Sequence, residues 1–200
     1  MLNRRAVLAG VAFSLSTTAF AAAPPGQIAP EFSLPATDGK ARKLSEFKGK
    51  WVVLEWVNPG CPYVQKHYVS KNMQALQKDG GAKGVIWLAV NSTNPSHQDY
   101  LKPAAMGDWM KSQGGTPQAA LMDESGDTGR AYSARTTPQM LLINPDGRVV
   151  YNGAIDDKRS TNPADVKGAK NHLRVALDEG LAGKPVSVAS TTPYGCSVKY

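Results

Sequence analysis

Two cysteines, Cys61 and Cys196, are the side chains of this 200-residue sequence most suited to covalent chemistry. Cys61 follows the apolar run WVVLEWV and an Asn-Pro-Gly turn, and Pro62 comes directly after it. Proline is favoured at the first position of a helix, so Cys61 is predicted at or beside the N-cap. The unpaired N–H groups and the helix dipole favour a thiolate there. Because the thiolate is the attacking species, the pattern indicates a nucleophile for peroxides or disulfides.

The second cysteine, Cys196, lies in the segment GCSVKY near the far end of the chain. As a resolving thiol it would displace the product from an oxidised Cys61. As a permanent partner it would close a loop of more than about 100 residues and stabilise the fold by about 4 to 5 kcal/mol on the chain-entropy model. Alternatively, Cys61 is a buried apolar residue and Cys196 is unpaired. The cysteine count predicts a partnership and leaves its kind open.

The elements that must position Cys61 form a predicted βαβ unit. Two apolar runs, 51–57 and 84–90, predict strands that are buried on both faces of a sheet. The apolar residues that recur at helical spacing between them are Val69, Met73 and Leu76. Lys66 is predicted on the other, polar face, and the glycine pair at 80–81 predicts the helix end. Such a unit implies parallel strands and a right-handed crossover.

Five further segments carry recognisable patterns. Alternating residues and turn signals predict a small N-terminal hairpin within 31–47 and a second hairpin over 140–153 around a Pro-Asp-Gly turn. A helix is predicted at 103–112 and a short strand at 119–122. Asn162 as N-cap, followed by proline and by apolar residues at helical spacing, predicts one last helix that continues to residue 181.

Residues 1–21 read as a cleavable export signal. Arg4 and Arg5 precede an apolar stretch, 6–20, which is followed by small residues spaced as in an A-x-A cleavage site. The arginine pair is also compatible with a twin-arginine signal. Export predicts a periplasmic or secreted bacterial protein, without stable membrane association, in a compartment where disulfides persist.

The charge pattern excludes some classes of partner. The net charge is +7, but the basic residues form no run and no aromatic residues interleave with them, so nucleic acid is not a predicted partner. The three histidines, His67, His97 and His172, lack the spacing of metal ligands, and no metal site is predicted.

Three segments resemble the thioredoxin superfamily, and within it the peroxiredoxin-like branch that includes exported alkyl hydroperoxide reductase/thiol-specific antioxidant-type proteins. They are VVLEWVNPGCPYV, TTPQMLLINPDGRVVYNGAIDD and GCSVKY. The resemblance implies an α/β, thioredoxin-like fold with a central mixed sheet flanked by helices and an N-terminal hairpin extension. The predicted layout is a flexible lead-in at 22–30, the thioredoxin-like domain at 31–184 and a tail at 185–200 that carries Cys196.

The resemblance also implies roles for three residues beside the cysteines. Pro138, preceded by Thr137, is expected to be a cis-proline next to the reactive sulfur, where backbone groups pair with a bound substrate; the alternative is a trans proline that opens an edge strand. Glu55 occupies a position where relatives keep a buried acid, which predicts a raised pKa and a role in relaying protons. The alternative is that Glu55 lies at the strand end and its carboxylate reaches solvent or a lysine such as Lys50.

The sequence departs from the related families in two ways. The thioredoxin motif has a second cysteine three residues after the first, whereas Val64 stands there. Peroxiredoxins carry threonine or serine three residues before the reactive cysteine and use an arginine, whereas Asn58 stands at that position and Arg135 is the arginine close to Thr137. The local resolving thiol is missing, so the ordinary dithiol mechanism cannot operate within this motif.

The predicted function is that of a thiol-based oxidoreductase of peroxiredoxin-like type, which reduces a peroxide or exchanges thiol and disulfide through Cys61. Its predicted partners are a small-molecule peroxide or a protein thiol or disulfide, together with an external thiol electron donor. No bound cofactor is required. The alternative is a non-catalytic thioredoxin-fold accessory or binding module with a structural Cys61–Cys196 disulfide.

Overall fold

The computed structural model describes residues 23–200, so the predicted export signal at 1–21 lies outside the described residues. This part of the chain forms nine strands, five α-helices and two 3-10 helices. The strands are β1 (Ser33–Pro35), β2 (Ala41–Lys43), β3 (Val52–Trp56), β4 (Ile86–Asn91), β5 (Ala119–Met122), β6 (Thr136–Thr137), β7 (Gln139–Ile143), β8 (Val149–Gly153) and β9 (Cys196–Ser197). The α-helices are α1 (Pro62–Val69), α2 (Asn72–Ala82), α3 (Pro103–Ser112), α4 (Asp127–Ala131) and α5 (His172–Leu181). The 3-10 helices are Leu44–Phe47 and Pro163–Gly168.

Over residues 23–200 the central sheet has five strands in the order β5-β4-β3-β7-β8. Strands β3, β4 and β5 are parallel, whereas β7 is antiparallel to β3 and β8 is antiparallel to β7. The predicted βαβ unit and the mixed sheet of a thioredoxin-like fold are confirmed. The N-terminal hairpin is also confirmed, as the antiparallel pair β1–β2.

The central strands read as continuous apolar runs because both of their faces are covered. Every residue of β3 is buried, and alternate side chains enter different cores. Val53 packs with residues of α1, α2, α3 and α5, and Leu54 packs with the N-terminal hairpin and α4. Burying a large apolar side chain contributes about 1.5 to 3 kcal/mol, so this two-sided burial fixes the strand that leads into Cys61.

The helix predicted between the first two strands is broken in two. Helix α1 ends at Val69, and Lys71 adopts a left-handed conformation with φ of 62° before α2 begins. Val69 is 62% exposed and lies outside the core, whereas Lys66, predicted on the polar face, is 1% exposed. Helix α2 also continues through the glycine pair to Ala82, because its buried face outweighs a helical cost of about 1 kcal/mol per glycine.

The last predicted helix is likewise two elements. Asn162 caps the 3-10 helix Pro163–Gly168 by accepting the N–H of Ala164, but α5 begins separately after its own N-cap, Asn171. The break occurs where Lys170 pairs with Asp157: the Lys170 carbonyl accepts the Asp157 N–H, and the Asp157 carboxylate accepts the Lys170 N–H. A tertiary contact therefore overrides the local helical pattern.

The remaining predicted elements agree with the structure. Helix α3, strand β5 and the β7–β8 hairpin have the predicted positions. The lead-in predicted over 22–30 is described from residue 23, and residues 23–30 run beside β8, where Gly26 donates to the Val149 carbonyl and Ile28 bridges Arg148. The tail crosses the body and ends as β9. Within 23–200, no helix combines the length and apolar character needed to cross a membrane.

Candidate active site

Cys61 is the N-cap of α1, as predicted. Strand β3 ends at Trp56, and Asn58 folds the following turn by accepting the Gly60 N–H at 2.8 Å. Pro62 then occupies the first turn of the helix. The Cys61 sulfur makes no cap hydrogen bond to the backbone of the described chain. The N-terminal N–H groups of α1 therefore make no direct hydrogen bond to this sulfur.

The sulfur of Cys61 instead faces the tail and the segment before Pro138. Its Sγ lies 2.7 Å from Cys196 Sγ and 3.0 Å from the Thr137 carbonyl oxygen. The Thr137–Pro138 peptide bond is cis. Cys61 is 2% exposed, and Cys196 of the tail lies against its sulfur. The structure therefore brings four predicted site residues together and buries the thiol.

Cys196 is positioned by a short strand pairing. Strand β9 runs antiparallel to β6, with Cys196 opposite Thr137. Gly195 has a φ of +138°, and a Cβ there would overlap the Thr137 carbonyl oxygen. Only glycine combines this backbone conformation with such a close approach. The glycine before Cys196 thus lets the tail lie directly against the segment that contacts Cys61.

The surroundings of the Cys196 thiol shift its pKa. Burial, followed by the hydrogen bond and the charge of Cys61, raises the pKa of Cys196 to about 12. Cys196 is therefore a protonated thiol at neutral pH. It must lose this proton before it can attack another sulfur, because the thiolate is the nucleophilic form.

Glu55 is fully buried, and its carboxylate accepts hydrogen bonds from three neutral donors. Tyr68 Oη donates to Oε1 at 2.8 Å, and Trp87 Nε1 and Gln77 Nε2 donate to Oε2 at 2.8 Å and 3.1 Å. Burial raises the pKa of Glu55, while these three hydrogen bonds oppose that rise. The alternative in which Glu55 reaches solvent or Lys50 is wrong. In the described chain, neither Cys61 nor Cys196 donates a hydrogen bond to the Glu55 carboxylate.

Replacing Glu55 by glutamine is expected to remove a pH-dependent loss of stability. Because the folded-state pKa is raised, the stabilising contribution is full below the ordinary pKa of 4.5 and is lost as pH rises through the folded value. Wild type should lose stability relative to Glu55→Gln as pH rises above about 4.5, by at most about 1.4 kcal/mol per pH unit, until pH exceeds the raised folded-state pKa. Urea unfolding across this range measures the difference.

The matched control is Glu124→Gln, because Glu124 is an exposed glutamate that also accepts a tyrosine hydroxyl, that of Tyr100, at 2.6 Å. It should follow wild type across the range. Parallel stability curves for wild type and Glu55→Gln would show that the buried carboxyl does not have a raised pKa.

A buried polar cluster beside the thiols was missed by sequence reasoning. Lys66, His67 and Asp156 are each 2% exposed or less, and Tyr194 of the tail is also buried among them. The charged run 156–159 predicts a solvated loop, and residues 157–159 are indeed exposed, but Asp156 is buried. Proximity to the cysteines in sequence was the available signal, since Lys66 follows Cys61 by five residues and Tyr194 precedes Cys196 by two.

The sequence analysis also raised Arg135 as a charge near the site and considered metal binding. Arg135 lines a surface pocket together with Pro24 and Pro193, and its carbonyl accepts the Val198 N–H. Among the described residues, the groups within hydrogen-bond distance of the Cys61 sulfur are the Thr137 carbonyl and Cys196 Sγ, and the Arg135 side chain is not one of them. In the part of the chain that the structure describes, no group of three or more His, Cys, Asp and Glu side chains is placed to hold a metal ion.

The central sheet, with Cys61 at a helix N-terminus and Cys196 beside it, defines the class as a thioredoxin-fold protein with two adjacent thiols. The family model for the AhpC/TSA family matches residues 25–152, about two thirds of the chain. The chain belongs to this peroxiredoxin-like family of the thioredoxin superfamily.

The similar proteins include one named a thiol-disulfide oxidoreductase and one named a peroxiredoxin. The chain is 32% identical over 125 residues to the thiol-disulfide oxidoreductase ResA of Bacillus subtilis, covering 62% of this chain and 64% of that protein. It is 28% identical over 151 residues to the peroxiredoxin Bcp of Escherichia coli, covering 70% and 90%. The match to ResA thus spans less than two thirds of that relative's length.

A solved structure of an uncharacterized conserved protein from Geobacillus kaustophilus is similar over nearly the whole chain. It superposes with a TM-score of 0.76 at 29% identity, and the alignment covers 89% of this chain and 93% of that one. The similarity therefore extends beyond the residues matched by the family model.

Proposed function

We propose that this protein is a thiol-based oxidoreductase of peroxiredoxin-like type that cycles between a dithiol and a Cys61–Cys196 disulfide. The observation that carries this proposal is the 2.7 Å separation of the Cys61 and Cys196 sulfurs. A disulfide bond is about 2.05 Å long, so closure requires an approach of less than about 1 Å. In this cycle Cys61 is the attacking thiol and Cys196 the resolving thiol.

With a peroxide, the Cys61 thiolate attacks one peroxide oxygen, so that an S–O bond forms and the O–O bond breaks. The leaving alkoxide or hydroxide takes a proton, and Cys61 becomes a sulfenic acid. Deprotonated Cys196 then attacks the Cys61 sulfur, an S–S bond forms, and the hydroxyl group leaves as water after protonation. An external dithiol returns the two electrons by thiol–disulfide exchange.

With a disulfide, Cys61 attacks one sulfur and releases the other as a thiolate. Cys196 then attacks Cys61 in the mixed disulfide and releases the second thiolate, so the substrate gains two electrons and the protein loses two. The burial of Cys61 favours a small oxidant, because a protein disulfide reaches the sulfur only when the tail is displaced. We therefore propose peroxide as the direct oxidant.

The oxidant is tested with the reduced wild-type protein under anaerobic conditions. Hydrogen peroxide, an organic peroxide and a model disulfide are added separately, and thiol loss is followed together with the mass of the protein and of the reduced product. The proposal predicts stoichiometric thiol loss with a peroxide, at a rate well above that of free cysteine. Equal, slow loss with all three oxidants would contradict an enzymatic role.

The closure step is expected to accelerate with pH. Because the pKa of Cys196 is about 12 in the reduced protein and burial is its largest cause, the reactive thiolate is a minor species at neutral pH. The first-order rate of disulfide formation should rise between about pH 7 and pH 9, by up to about tenfold per pH unit while Cys196 stays mostly protonated. Rapid acid quench and mass spectrometry measure this rate, and a flat profile would show that Cys196 is already ionised.

A second candidate function is that of a binding or accessory module with a permanent Cys61–Cys196 bridge. The observation in its favour is that the tail is held on both sides of Cys196, by Tyr194 before it and by Tyr200 after it, whose Oη donates to the Ala134 carbonyl at 2.7 Å. A reduction potential below about −300 mV would favour this structural bridge, whereas a more oxidising value suits exchange.

Three further assignments belong to the same proposal. Thr137 and Pro138 offer their backbone to the substrate, Glu55 relays protons beneath the site, and an external thiol supplies electrons. The leader residues Arg4 and Arg5 and the apolar stretch after them support action outside the cytoplasm, in the periplasm or the secreted fraction.

A further inference from the structure

The buried polar cluster joins three separate parts of the chain. Tyr194 of the tail donates its hydroxyl to Asp156 Oδ1, on the segment after β8. Lys66 Nζ, on α1, donates to the Lys158 carbonyl at 2.6 Å and lies 3.4 Å from Tyr194 Oη and 3.6 Å from Asp156 Oδ2. The side chains of Lys66 and Asp156 are 0% and 1% exposed. The cluster is therefore a direct polar link between the tail and α1.

Charges in this cluster are balanced within it. Asp156 faces Lys66 at 3.6 Å and His67 Nε2 at 3.9 Å. Burial lowers the pKa of His67 to about 4, so this histidine is neutral at neutral pH and Lys66 is the cation that balances Asp156. Burial and the bond to Asp156 raise the pKa of Tyr194, so its hydroxyl stays protonated and continues to donate.

The elements that the cluster joins are those that carry the two thiols. Lys66 lies on α1, whose N-cap is Cys61, and Tyr194 is two residues before Cys196. Two residues span at most about 7 Å, so fixing the Tyr194 ring restricts where Cys196 can lie. Tyr63, also on α1, packs its ring edge against Tyr194 with centroids 5.8 Å apart. The tail is therefore oriented against the same helix that presents Cys61.

A buried ion pair is a costly way to obtain stability alone, because apolar residues of similar volume often serve as well or better. Directional hydrogen bonds between buried groups instead select one arrangement of the parts they join. Here that arrangement places Cys196 Sγ 2.7 Å from Cys61 Sγ.

We propose that Tyr194, Asp156 and Lys66 are positioning residues that set the approach of Cys196 to oxidised Cys61, an inference that rests on the proposed thiol cycle. They touch neither sulfur and take no part in bond making. Their effect falls on the closure step, in which the Cys196 thiolate forms the S–S bond and hydroxide, or a thiolate, leaves Cys61. The first attack by Cys61 on the oxidant does not depend on them.

The test is Tyr194→Phe, which removes one hydroxyl and retains the ring. Two rates are measured by rapid quench and mass spectrometry: loss of the Cys61 thiol to peroxide, and formation of the intramolecular disulfide. The first should stay within about twofold of wild type, and the second should fall about 10-fold or more, since a misplacement near 1 Å can cost about 100-fold. With a disulfide oxidant, the second rate is read as release of the second thiol.

Slow closure also has a chemical signature that a loss of stability alone does not produce. A sulfenic acid that persists reacts with a second peroxide and becomes a sulfinic acid. Tyr194→Phe should therefore accumulate more Cys61 sulfinic acid than wild type at high peroxide. Asp156→Asn, which keeps an oxygen acceptor for Tyr194 but unbalances Lys66, should shift both readouts in the same direction.

The matched control is Tyr132→Phe, because Tyr132 is also buried and its hydroxyl donates to the Pro30 carbonyl in the other core of the sheet. Both rates should stay at the wild-type values in this variant. Unchanged closure and unchanged sulfinic acid in Tyr194→Phe would overturn the positioning role while leaving the thiol cycle intact. Failure of wild type itself to form the disulfide would instead overturn the proposed function.

Discussion

Cys61→Ser is expected to abolish the reaction with peroxide and with disulfide. The hydroxyl of serine does not ionise at neutral pH and attacks an O–O or S–S bond far more slowly than a thiolate. Loss of the nucleophile should lower the rate by at least about 1,000-fold. Anaerobic peroxide consumption, followed with equal concentrations of reduced wild type and variant, measures this loss.

Cys196→Ser is the control for this loss, because it removes the other thiol from the same site. Given one equivalent of peroxide, this variant should consume it and hold Cys61 as a sulfenic acid that dimedone traps, whereas excess peroxide should oxidise Cys61 further to a sulfinic acid. Sustained turnover by Cys61→Ser, or equal inactivity of both variants in the first turnover, would contradict the assignment of Cys61 as nucleophile and Cys196 as resolving thiol.

Gly195→Ala is expected to separate the two thiols without altering either one. Gly195 has a φ of +138°, and an added Cβ would overlap the Thr137 carbonyl oxygen, a backbone atom that has little freedom to move. The pairing of β9 with β6 should be lost, and disulfide closure should slow by about 100-fold or more. Rapid quench after a single addition of peroxide measures closure.

The same substitution should have the opposite effect on access to Cys61. Because Cys196 of the tail lies against that buried sulfur, displacement of the tail should raise the rate of alkylation by a bulky maleimide by about 10-fold or more. The matched control is Gly183→Ala, at a glycine with φ of +70° that has open space around it. If closure and alkylation in Gly195→Ala equal those of Gly183→Ala, the tail does not hold Cys196 through this contact.

The sequence predicted those parts of the fold that depend on local signals. Proline after Cys61 placed the cysteine at a helix N-cap, and the apolar runs located β3 and β4, because a strand buried on both faces must be apolar throughout. The family resemblance alone led to the cis bond before Pro138, whereas the buried position of Glu55 was also indicated by its apolar neighbours in the strand. Both features depend on the folded surroundings.

The errors arose where distant contacts override local pattern. Lys66 has the sequence character of a solvent-facing lysine, and its burial follows from Asp156 and Tyr194, which lie about 90 and 130 positions along the chain. The tail similarly lacks a strong strand signal, because β9 owes its pairing to Gly195 and the Thr137 carbonyl. A balanced pair of buried charges and a close contact between two backbone segments form only when the chain is folded.

Peptide mapping after one equivalent of oxidant tests the thiol cycle most directly. Reduced wild type is treated anaerobically with hydrogen peroxide, quenched by alkylation, digested and analysed by mass spectrometry with and without reduction. The cycle predicts one dominant product, in which the peptides of Cys61 and Cys196 are joined by a disulfide that a dithiol opens again. Recovery of both cysteines as alkylated thiols, or of Cys61 oxidised with Cys196 still free, would contradict it.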